Sequence, residues 1–177
     1  MVNLKNFYSH PTSDISSDAV IGEGTKIWHH GQIMPGVLIG ANCTLGKGVY
    51  IDAGVSIGSD VKIQNGVSVY KGVTIEDKCF IGPNVTFTND LSPRAFSEDF
   101  IITKTLICKG ASIGANATII CGTKIGQYSM IGAGSVITKN VGEYELFYGS
   151  PGSLKGFVCI CGKKISKKTE GICICEH

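Results

Sequence analysis

The residues best suited to chemistry lie in a segment that begins at Thr88 and contains Asn89, Asp90, Pro93 and Arg94. The guanidinium of Arg94 fits a phosphate or a carboxylate, because its planar fork matches either oxyanion. The same side chain could instead form an ion pair at an interface, and Asn89 could serve as an Asx-turn cap. Pro93 stiffens the segment.

Cysteines form a second group of residues suited to chemistry. Two C-x-C pairs lie near the end of the chain, Cys159 with Cys161 and Cys173 with Cys175. Four thiolates can hold Zn²⁺ in tetrahedral geometry, so we expect a structural zinc site here. The usual knuckle spacing is C-x₂-C, however, and free or partly oxidised thiols remain an alternative. The single cysteines Cys43 and Cys79 are expected to fill the core.

The elements that position these residues follow from a six-residue repeat. An apolar residue recurs at every sixth position from Ile21 to Phe87, and again in a shifted phase from Ile107 to Ile137. A period of six excludes a long helix, which repeats every 3.6 residues, and is compatible with short strands separated by turns. Glycine often follows the apolar residue and supplies the left-handed conformation that such turns need.

Three such hexads make a triangular coil of 18 residues, in which the apolar column points inward and each coil covers the next. The sequence therefore predicts an all-β fold, a left-handed parallel β-helix of about six coils. We expect one β-helix domain over residues 1–155 and a Cys-rich tail over residues 156–177. The interruption near residues 88–106 predicts a projecting loop, either a tolerated surface loop or a functional one.

Composition limits the possible partners and compartments. The net charge of +2 gives no reason to expect nucleic acid or an anionic membrane as a partner. No stretch approaches the roughly 18 apolar residues of a membrane span, and residues 1–13 lack the apolar core of a signal peptide. Eight cysteines could indicate a secreted disulfide scaffold, but without a signal peptide we expect a cytoplasmic protein.

Several segments carry a closer resemblance, namely "KIWHH" (26–30), "KIQNGVSVYKGVTIEDKCFIGPNVTFTND" (62–90), "PRA" (93–95) and "GASIGANATIICGTKIGQYSMIGAGSVITKNV" (110–141). They are similar to the nucleotide-linked 3-amino-sugar N-acetyltransferases of the hexapeptide-repeat acyltransferase family, over residues 15 to 157. The resemblance implies an acetyl-coenzyme A-dependent enzyme that acts in surface glycan (lipopolysaccharide) biosynthesis. It also implies a homotrimer in which the projecting loop reaches a neighbouring subunit. The chain departs from the family at "GSPGS" (149–153), where many relatives have Gly-Asn-Pro-Ala.

The resemblance implies a catalytic position at Asn89, whose amide would orient the sugar amine while the proton leaves by way of the coenzyme sulfur or water. An amide is not a base at neutral pH, so its role would be positioning. Implied contacts to the nucleotide-linked sugar fall on Gln64, Asn65, Tyr70, Arg94 and His30. Implied contacts to acetyl-coenzyme A fall on Ala115, Ala133, Gly134 and Lys139.

Each of these positions also has a purely structural interpretation. Gln64 and Asn65 could form a ladder of surface amides, Tyr70 could pack on a flat sheet, and the small residues could fit tight corners. We expect His29 and His30 to alternate, one inward and one exposed, as neighbours on a strand do.

The acceptor sugar is not fixed by these segments. "KIQNGVSVY" favours enzymes acting on UDP-linked 2-acetamido-3-amino uronates, which we take as the leading interpretation, whereas "TNDLSPR" favours those acting on dTDP-linked 3-amino-3,6-dideoxyhexoses. Two other classes are alternatives, a non-catalytic β-helical scaffold and a γ-type carbonic anhydrase. The carbonic anhydrase needs three converging histidines, and the β-helix offers only the pair His29 and His30.

Overall fold

The computed structural model describes residues 6–97 and 100–166, and these residues form a parallel β-solenoid that contains no helix. No helix that could cross a membrane is found in these two ranges. The first sheet contains β1 (Tyr8–Ser9), β4 (Lys26–Ile27), β7 (Thr44–Leu45), β10 (Lys62–Ile63), β13 (Phe80–Ile81), β16 (Ser112–Ile113), β19 (Met130–Ile131), β21 (Glu145–Gly149), β22 (Gly152–Val158) and β23 (Lys164–Ile165).

The second sheet contains β2 (Asp14–Ile15), β5 (Gln32–Ile33), β8 (Tyr50–Ile51), β11 (Ser68–Val69), β14 (Thr86–Phe87), β17 (Thr118–Ile119) and β20 (Val136–Ile137). The third sheet contains β3 (Val20–Ile21), β6 (Leu38–Ile39), β9 (Ser56–Ile57), β12 (Val73–Ile75), β15 (Thr105–Ile107) and β18 (Lys124–Ile125). The all-β solenoid agrees with the left-handed β-helix predicted from the six-residue period.

Paired residues in adjacent coils are 18 positions apart, as in Lys26 with Thr44. The spacing rises to 32 positions in the middle of the stack, where Thr74 pairs with Leu106. It falls to 16 at the end of the stack, where Met130 pairs with Leu146. The projecting loop, residues 88–104 between β14 and β15, therefore inserts 14 residues without disturbing the register of the coils.

The stack is longer than six coils, because strands β1 to β3 add a coil before β4 and β21 lies beyond the seventh coil. The repeat positions of this first coil are Ser9, Ile15 and Ile21, so the apolar pattern fails only at its first member. The chain then reverses through residues 149–152, and β22 pairs antiparallel with β21 and with β23. Residues on both sides of the boundary expected at 155 thus belong to one strand.

The core is the column of repeat residues, which are buried from Ile27 onward, whereas Ile15 and Ile21 of the first coil are half-buried. The large side chains with less than 2 % exposure include Ile27, Leu45, Ile63, Ile81, Phe87, Ile113 and Ile125. Cys43 and Cys79 fill this core as expected, and their thiols donate to the carbonyls of Gly58 and Cys108, each at 3.1 Å. Burial raises the pKa of the Cys79 thiol to about 12, so it stays protonated.

The three corners of the coil are named here by the sheets that they join. Corner I joins the first sheet to the second (64–67 in the fourth coil), corner II joins the second to the third (70–73), and corner III joins the third back to the first (76–79). Close stacking explains the glycine at the start of many corners. A Cβ on Gly40, for example, would lie 2.6 Å from the Gly58 carbonyl carbon in the next coil.

One buried side chain on corner II lacks a partner. Among the described residues, the hydroxyl of Thr105 is the buried side-chain polar group without a hydrogen bond, whereas the hydroxyl of Thr123, one coil later, donates to the Ile120 carbonyl at 2.8 Å. Thr105→Val should therefore raise the free energy of unfolding by about 1 kcal/mol, because it removes an uncompensated hydroxyl and keeps the shape.

The matched change Thr123→Val should lower the free energy of unfolding by about 1 kcal/mol, since it breaks a hydrogen bond. Urea denaturation at one fixed protein concentration measures both differences. Equal effects of the two substitutions would contradict this interpretation of Thr105.

Candidate active site

The projecting loop is closed at its base by two hydrogen bonds. The Thr88 hydroxyl accepts the Cys121 N–H at 2.9 Å, and the Asn89 carbonyl accepts the Thr103 N–H at 2.8 Å. Phe87, immediately before this base, is 1 % exposed and anchors the loop in the core. The loop therefore leaves a rigid corner II, and Asn89 has a fixed backbone.

The side-chain amide of Asn89 is half-buried and makes no hydrogen bond to any described residue. The Asx turn that the sequence allowed at Asn89 is made by its neighbour, because Asp90 Oδ1 accepts the Ser92 N–H at 2.8 Å. Asn89 is thus not used as a cap, and its amide remains available to a ligand.

Tyr70 lies on corner II one coil before Thr88, close to this amide in the stack. Its ring centroid is 5.9 Å from that of Tyr50, and the Tyr50 hydroxyl donates to Asp52 Oδ1 at 3.1 Å. Desolvation and the Asp52 carboxylate raise the pKa of Tyr50. The pKa of Asp52 is lowered, because the Lys71 and Ala53 N–H groups and the Tyr50 hydroxyl outweigh its partial desolvation. The Tyr50 ring, against which Tyr70 packs, is thereby fixed in orientation.

Arg94 lies in the exposed part of the projecting loop. Its Nη1 donates to the adjacent Pro93 carbonyl at 2.8 Å. No ion pair to Arg94 is found within residues 6–97 and 100–166, so its role as an anion ligand stays a prediction.

Gln64 and Asn65 lie on corner I and not on corner II. Asn65 Oδ1 accepts the Lys47 N–H of the preceding coil at 2.9 Å, which is a structural use of its amide oxygen. Gln64 is half-buried beside it. The sequence therefore places these two amides together, but the fold puts them on a different corner from Asn89.

The histidines differ from expectation, because His29 and His30 are both exposed. Strand β4 ends at Ile27, so these residues belong to corner I, where the alternation of a strand does not apply. The His29 ring stacks on His10 with centroids 3.5 Å apart, and desolvation together with the charges of His29 and His30 lowers the pKa of His10. His30 adopts a left-handed φ of 57° and its N–H donates to Thr12 Oγ1.

Corner I also carries the small residues Ala115, Ala133 and Gly134 at the far end of the stack. A cleft of about 370 Å³ opens there. It is lined by Phe80, Ser112, Ile113, Gly114, Met130, Ile131, Gly132 and Ala133. Close stacking requires Gly114, where a Cβ would lie 2.5 Å from the Ala133 nitrogen, whereas Gly134 faces open space. The cleft is thus apolar and edged by bare backbone.

Lys139 lies on corner II in the last full coil. Its Nζ sits 5.8 Å from the centroid of the Phe147 ring. The fold thus brings Lys139 to the corner of Asn89 and Tyr70, and not to the apolar cleft on corner I.

The zinc site receives no support. Cys159 is buried while Cys161, two residues later, is exposed, and Cys173 and Cys175 lie outside the described residues. Within residues 6–97 and 100–166, no group of three or more His, Cys, Asp or Glu side chains could hold a metal ion. The same finding applies to the three histidines of corner I, His10, His29 and His30.

A second cleft, which the sequence does not predict, lies on corner II and contains Lys71 and Lys104. It has a volume of about 390 Å³ and lies where the projecting loop returns to the stack. Lys71 directly follows Tyr70, but Lys104 comes near it only because the loop folds back, and no sequence pattern reveals that contact.

Comparison with known proteins identifies the family. Residues 18–53, 54–89 and 104–139 each match the family described as "Bacterial transferase hexapeptide (six repeats)". The gap between the second and third matches falls in the projecting loop. The three matches cover more than half of the chain.

Individual relatives agree with this assignment. The chain is 44 % identical over 169 residues to the dTDP-3-amino-3,6-dideoxy-α-D-galactopyranose 3-N-acetyltransferase of Aneurinibacillus thermoaerophilus, covering 95 % of this chain and 88 % of that protein. It is 26 % identical, with a TM-score of 0.62, to a hexapeptide-repeat acetyltransferase of Vibrio cholerae crystallised with acetyl-coenzyme A, covering 69 % of this chain and 70 % of that chain.

The fold also matches a hexapeptide transferase family protein from Anaplasma phagocytophilum, with a TM-score of 0.60 at 20 % identity, covering 86 % of this chain and 83 % of that chain. At this identity the likeness concerns the fold alone. Taken with the repeat matches and the full-length relative, these findings show that the chain belongs to the hexapeptide-repeat acyltransferase family and is an acyltransferase.

Proposed function

We propose that the protein transfers the acetyl group of acetyl-coenzyme A to the 3-amino group of a dTDP-linked 3-amino-3,6-dideoxyhexose. The observation that carries this proposal is the 44 % identity, over 95 % of the chain, to an enzyme named for that reaction. The sequence-based preference for a UDP-linked uronate receives no support from the comparisons, and the dTDP-linked alternative fits better. The product would be a sugar nucleotide suited to surface glycan assembly.

The reaction needs a neutral amine held against the thioester carbonyl. The amine nitrogen forms the new C–N bond, the C–S bond breaks, and the proton of the amine passes to the coenzyme sulfur, directly or through water. Asn89 is our candidate for orienting the amine, because its amide is held on a rigid corner and makes no hydrogen bond to a described residue. Among the groups near it, Tyr70 is the candidate contact for the nucleotide or sugar.

The donor is assigned to the apolar cleft on corner I. The cleft ends at Ala133, and the next residue, Gly134, faces open space, so a pantetheine arm could lie along this backbone without displacing side chains. The Vibrio cholerae relative crystallised with acetyl-coenzyme A supports the choice of donor. Lys139, on corner II, is the candidate for a coenzyme phosphate.

Donor and acceptor groups therefore lie on two different corners of one chain, with Ala133 on corner I and Asn89 on corner II. We infer a homotrimer in which corner I of one subunit faces the projecting loop of the next. Exposed apolar side chains on that loop support a packed partner, because Phe96 is 85 % and Ile101 is 71 % exposed.

A thiol-release assay tests the function directly. Wild-type protein with acetyl-coenzyme A should release thiol with a dTDP-3-amino-3,6-dideoxyhexose and at least tenfold more slowly with a UDP-2-acetamido-3-amino uronate. Faster turnover of the uronate would reverse the assignment of the sugar. Thiol release with neither sugar would refute the proposed reaction.

A further inference from the structure

The cleft on corner II is placed beside the proposed reaction centre. It is lined by Ala53, Gly54, Lys71, Gly72, Val73, Thr74, Ile102 and Lys104. Its volume of about 390 Å³ lies within the range of small-molecule sites. The cleft is therefore large enough to hold part of a ligand and is close to Asn89 along the stack.

Part of the lining of this cleft is bare backbone, at Gly54 and Gly72. A Cβ added at Gly54 would meet no atom within 4 Å, so the space above it is open. A Cβ at Gly72 would lie 2.5 Å from Ile102 Cγ2, because the returning arm of the projecting loop packs directly onto this glycine. The loop thereby builds one wall of the cleft and brings Lys104 to it.

The charge of the cleft is positive. Its lining includes two lysines and no carboxylate, and both lysines are exposed. The nearby Asp52 forms no salt bridge with either lysine, because its oxygens accept hydrogen bonds from Ala53 N–H, Lys71 N–H and the Tyr50 hydroxyl. The charge of Lys71 acts on this carboxylate only at longer range, as one of the causes that lower the pKa of Asp52. Within the described ranges neither lysine has an ion-pair partner. Two unpaired cations over bare backbone favour a doubly charged anion.

The distance from Lys71 to Asn89 also suits a nucleotide-linked 3-amino sugar. Lys71 occupies the corner position that Asn89 occupies one coil later, and adjacent coils are about 4.8 Å apart. In a nucleotide-linked 3-amino sugar, the amine is two carbons away from the anomeric carbon that carries the diphosphate. A diphosphate site one coil from the amine-orienting amide is what such a substrate requires.

We propose that Lys71 and Lys104 bind the diphosphate of the nucleotide-linked acceptor in this cleft. The proposal rests on the proposed function for the identity of the ligand. It adds two substrate-binding residues to the site and gives the projecting loop a second task, that of placing Lys104.

Two kinds of variant test the proposal. Lys71→Met and Lys104→Met should each raise the KM for the dTDP-linked sugar about tenfold, with kcat and the KM for acetyl-coenzyme A unchanged. Gly54→Asp should act in the same direction, because it places a carboxylate in the cleft. An aspartate can adopt the backbone conformation of Gly54, which has a φ of 70°. Asp60 shows this, because it has a φ of 59° at the equivalent position of the next corner.

Gly48→Asp is the matched control, because Gly48 has a φ of 65°, no atom within 4 Å of an added Cβ, and a place in the same coil outside the cleft. It should leave the KM for the sugar unchanged. An equal effect of the two aspartates, or no effect of either lysine variant, would overturn the proposal. A rise in the KM for acetyl-coenzyme A instead would also overturn it, by assigning the cleft to the coenzyme phosphates.

Calorimetric titration with inorganic diphosphate separates this inference from the proposed function. If the wild-type protein acetylates neither sugar but binds inorganic diphosphate, and Gly54→Asp abolishes the binding while Gly48→Asp does not, the anion site stands without the reaction. If wild-type and Gly54→Asp proteins bind it equally, the site is refuted whatever the enzyme acetylates.

Discussion

Asn89→Ala should lower kcat/KM for the dTDP-linked sugar about 100-fold, because the amine loses the group that orients it toward the thioester. The loss should appear mainly in kcat, and the KM for acetyl-coenzyme A should change little. Asn89→Gln should also be impaired, since the longer side chain carries the same amide to a different place. Steady-state thiol release by the purified variants measures kcat, the KM for the sugar and the KM for acetyl-coenzyme A.

The pH profile separates positioning from general-base catalysis. If Asn89 only orients the amine, the Asn89→Ala enzyme should keep the wild-type pH dependence of kcat/KM at a lower level. Activity of Asn89→Ala within twofold of wild type would contradict the assignment. Unchanged unfolding by urea is the control, because the Asn89 carbonyl that closes the loop belongs to the backbone and is kept.

Mixing two inactive subunits should restore activity if the site lies between chains. Ala133→Trp should block the apolar cleft on corner I, and Asn89→Ala removes the orienting amide on corner II. In random mixed trimers, about a quarter of the interfaces join an intact cleft to an intact loop, so about a quarter of wild-type activity should return.

The control for this experiment places both substitutions in one chain. Mixing that double variant with wild type should leave about a quarter of the sites active if they lie between subunits, and about a half if each site lies within one chain. No recovery in the first mixture, together with a half in the second, would refute the intersubunit site. Light scattering should give three times the 18.7 kDa chain mass.

Much of the fold could be predicted because a six-residue period leaves few alternatives. The repeat predicts buried positions that the structure confirms from Ile27 to Phe87, and its interruption locates the projecting loop. Ile21, where the predicted repeat begins, is only half-buried. The 18-residue coil also determines which residues share a corner, so the separation of Gln64 from Tyr70 was implicit in the sequence. The first coil could have been partly recognised, because Ile15 continues the period before Ile21 and only Ser9 lacks the apolar signal.

The remaining features depend on contacts that have no period. The orientation of the His29 ring depends on stacking against His10, and the unpaired hydroxyl of Thr105 depends on how the loop rejoins β15. The cleft on corner II depends on the packing of Ile102 onto Gly72. The contacts at Thr105 and Gly72 follow from the path of one irregular loop, and no repeat encodes that path.

The antiparallel reversal between β21 and β22 also bears on how chains could polymerise. A parallel solenoid exposes at each end a layer of unpaired backbone groups that can template another identical layer. In the first sheet that layer is covered by β22, which pairs antiparallel with β21. Strand β23 then pairs antiparallel with β22. The end of the first sheet therefore no longer resembles its beginning, and this hairpin disfavours end-to-end growth of one solenoid on another into a fibre.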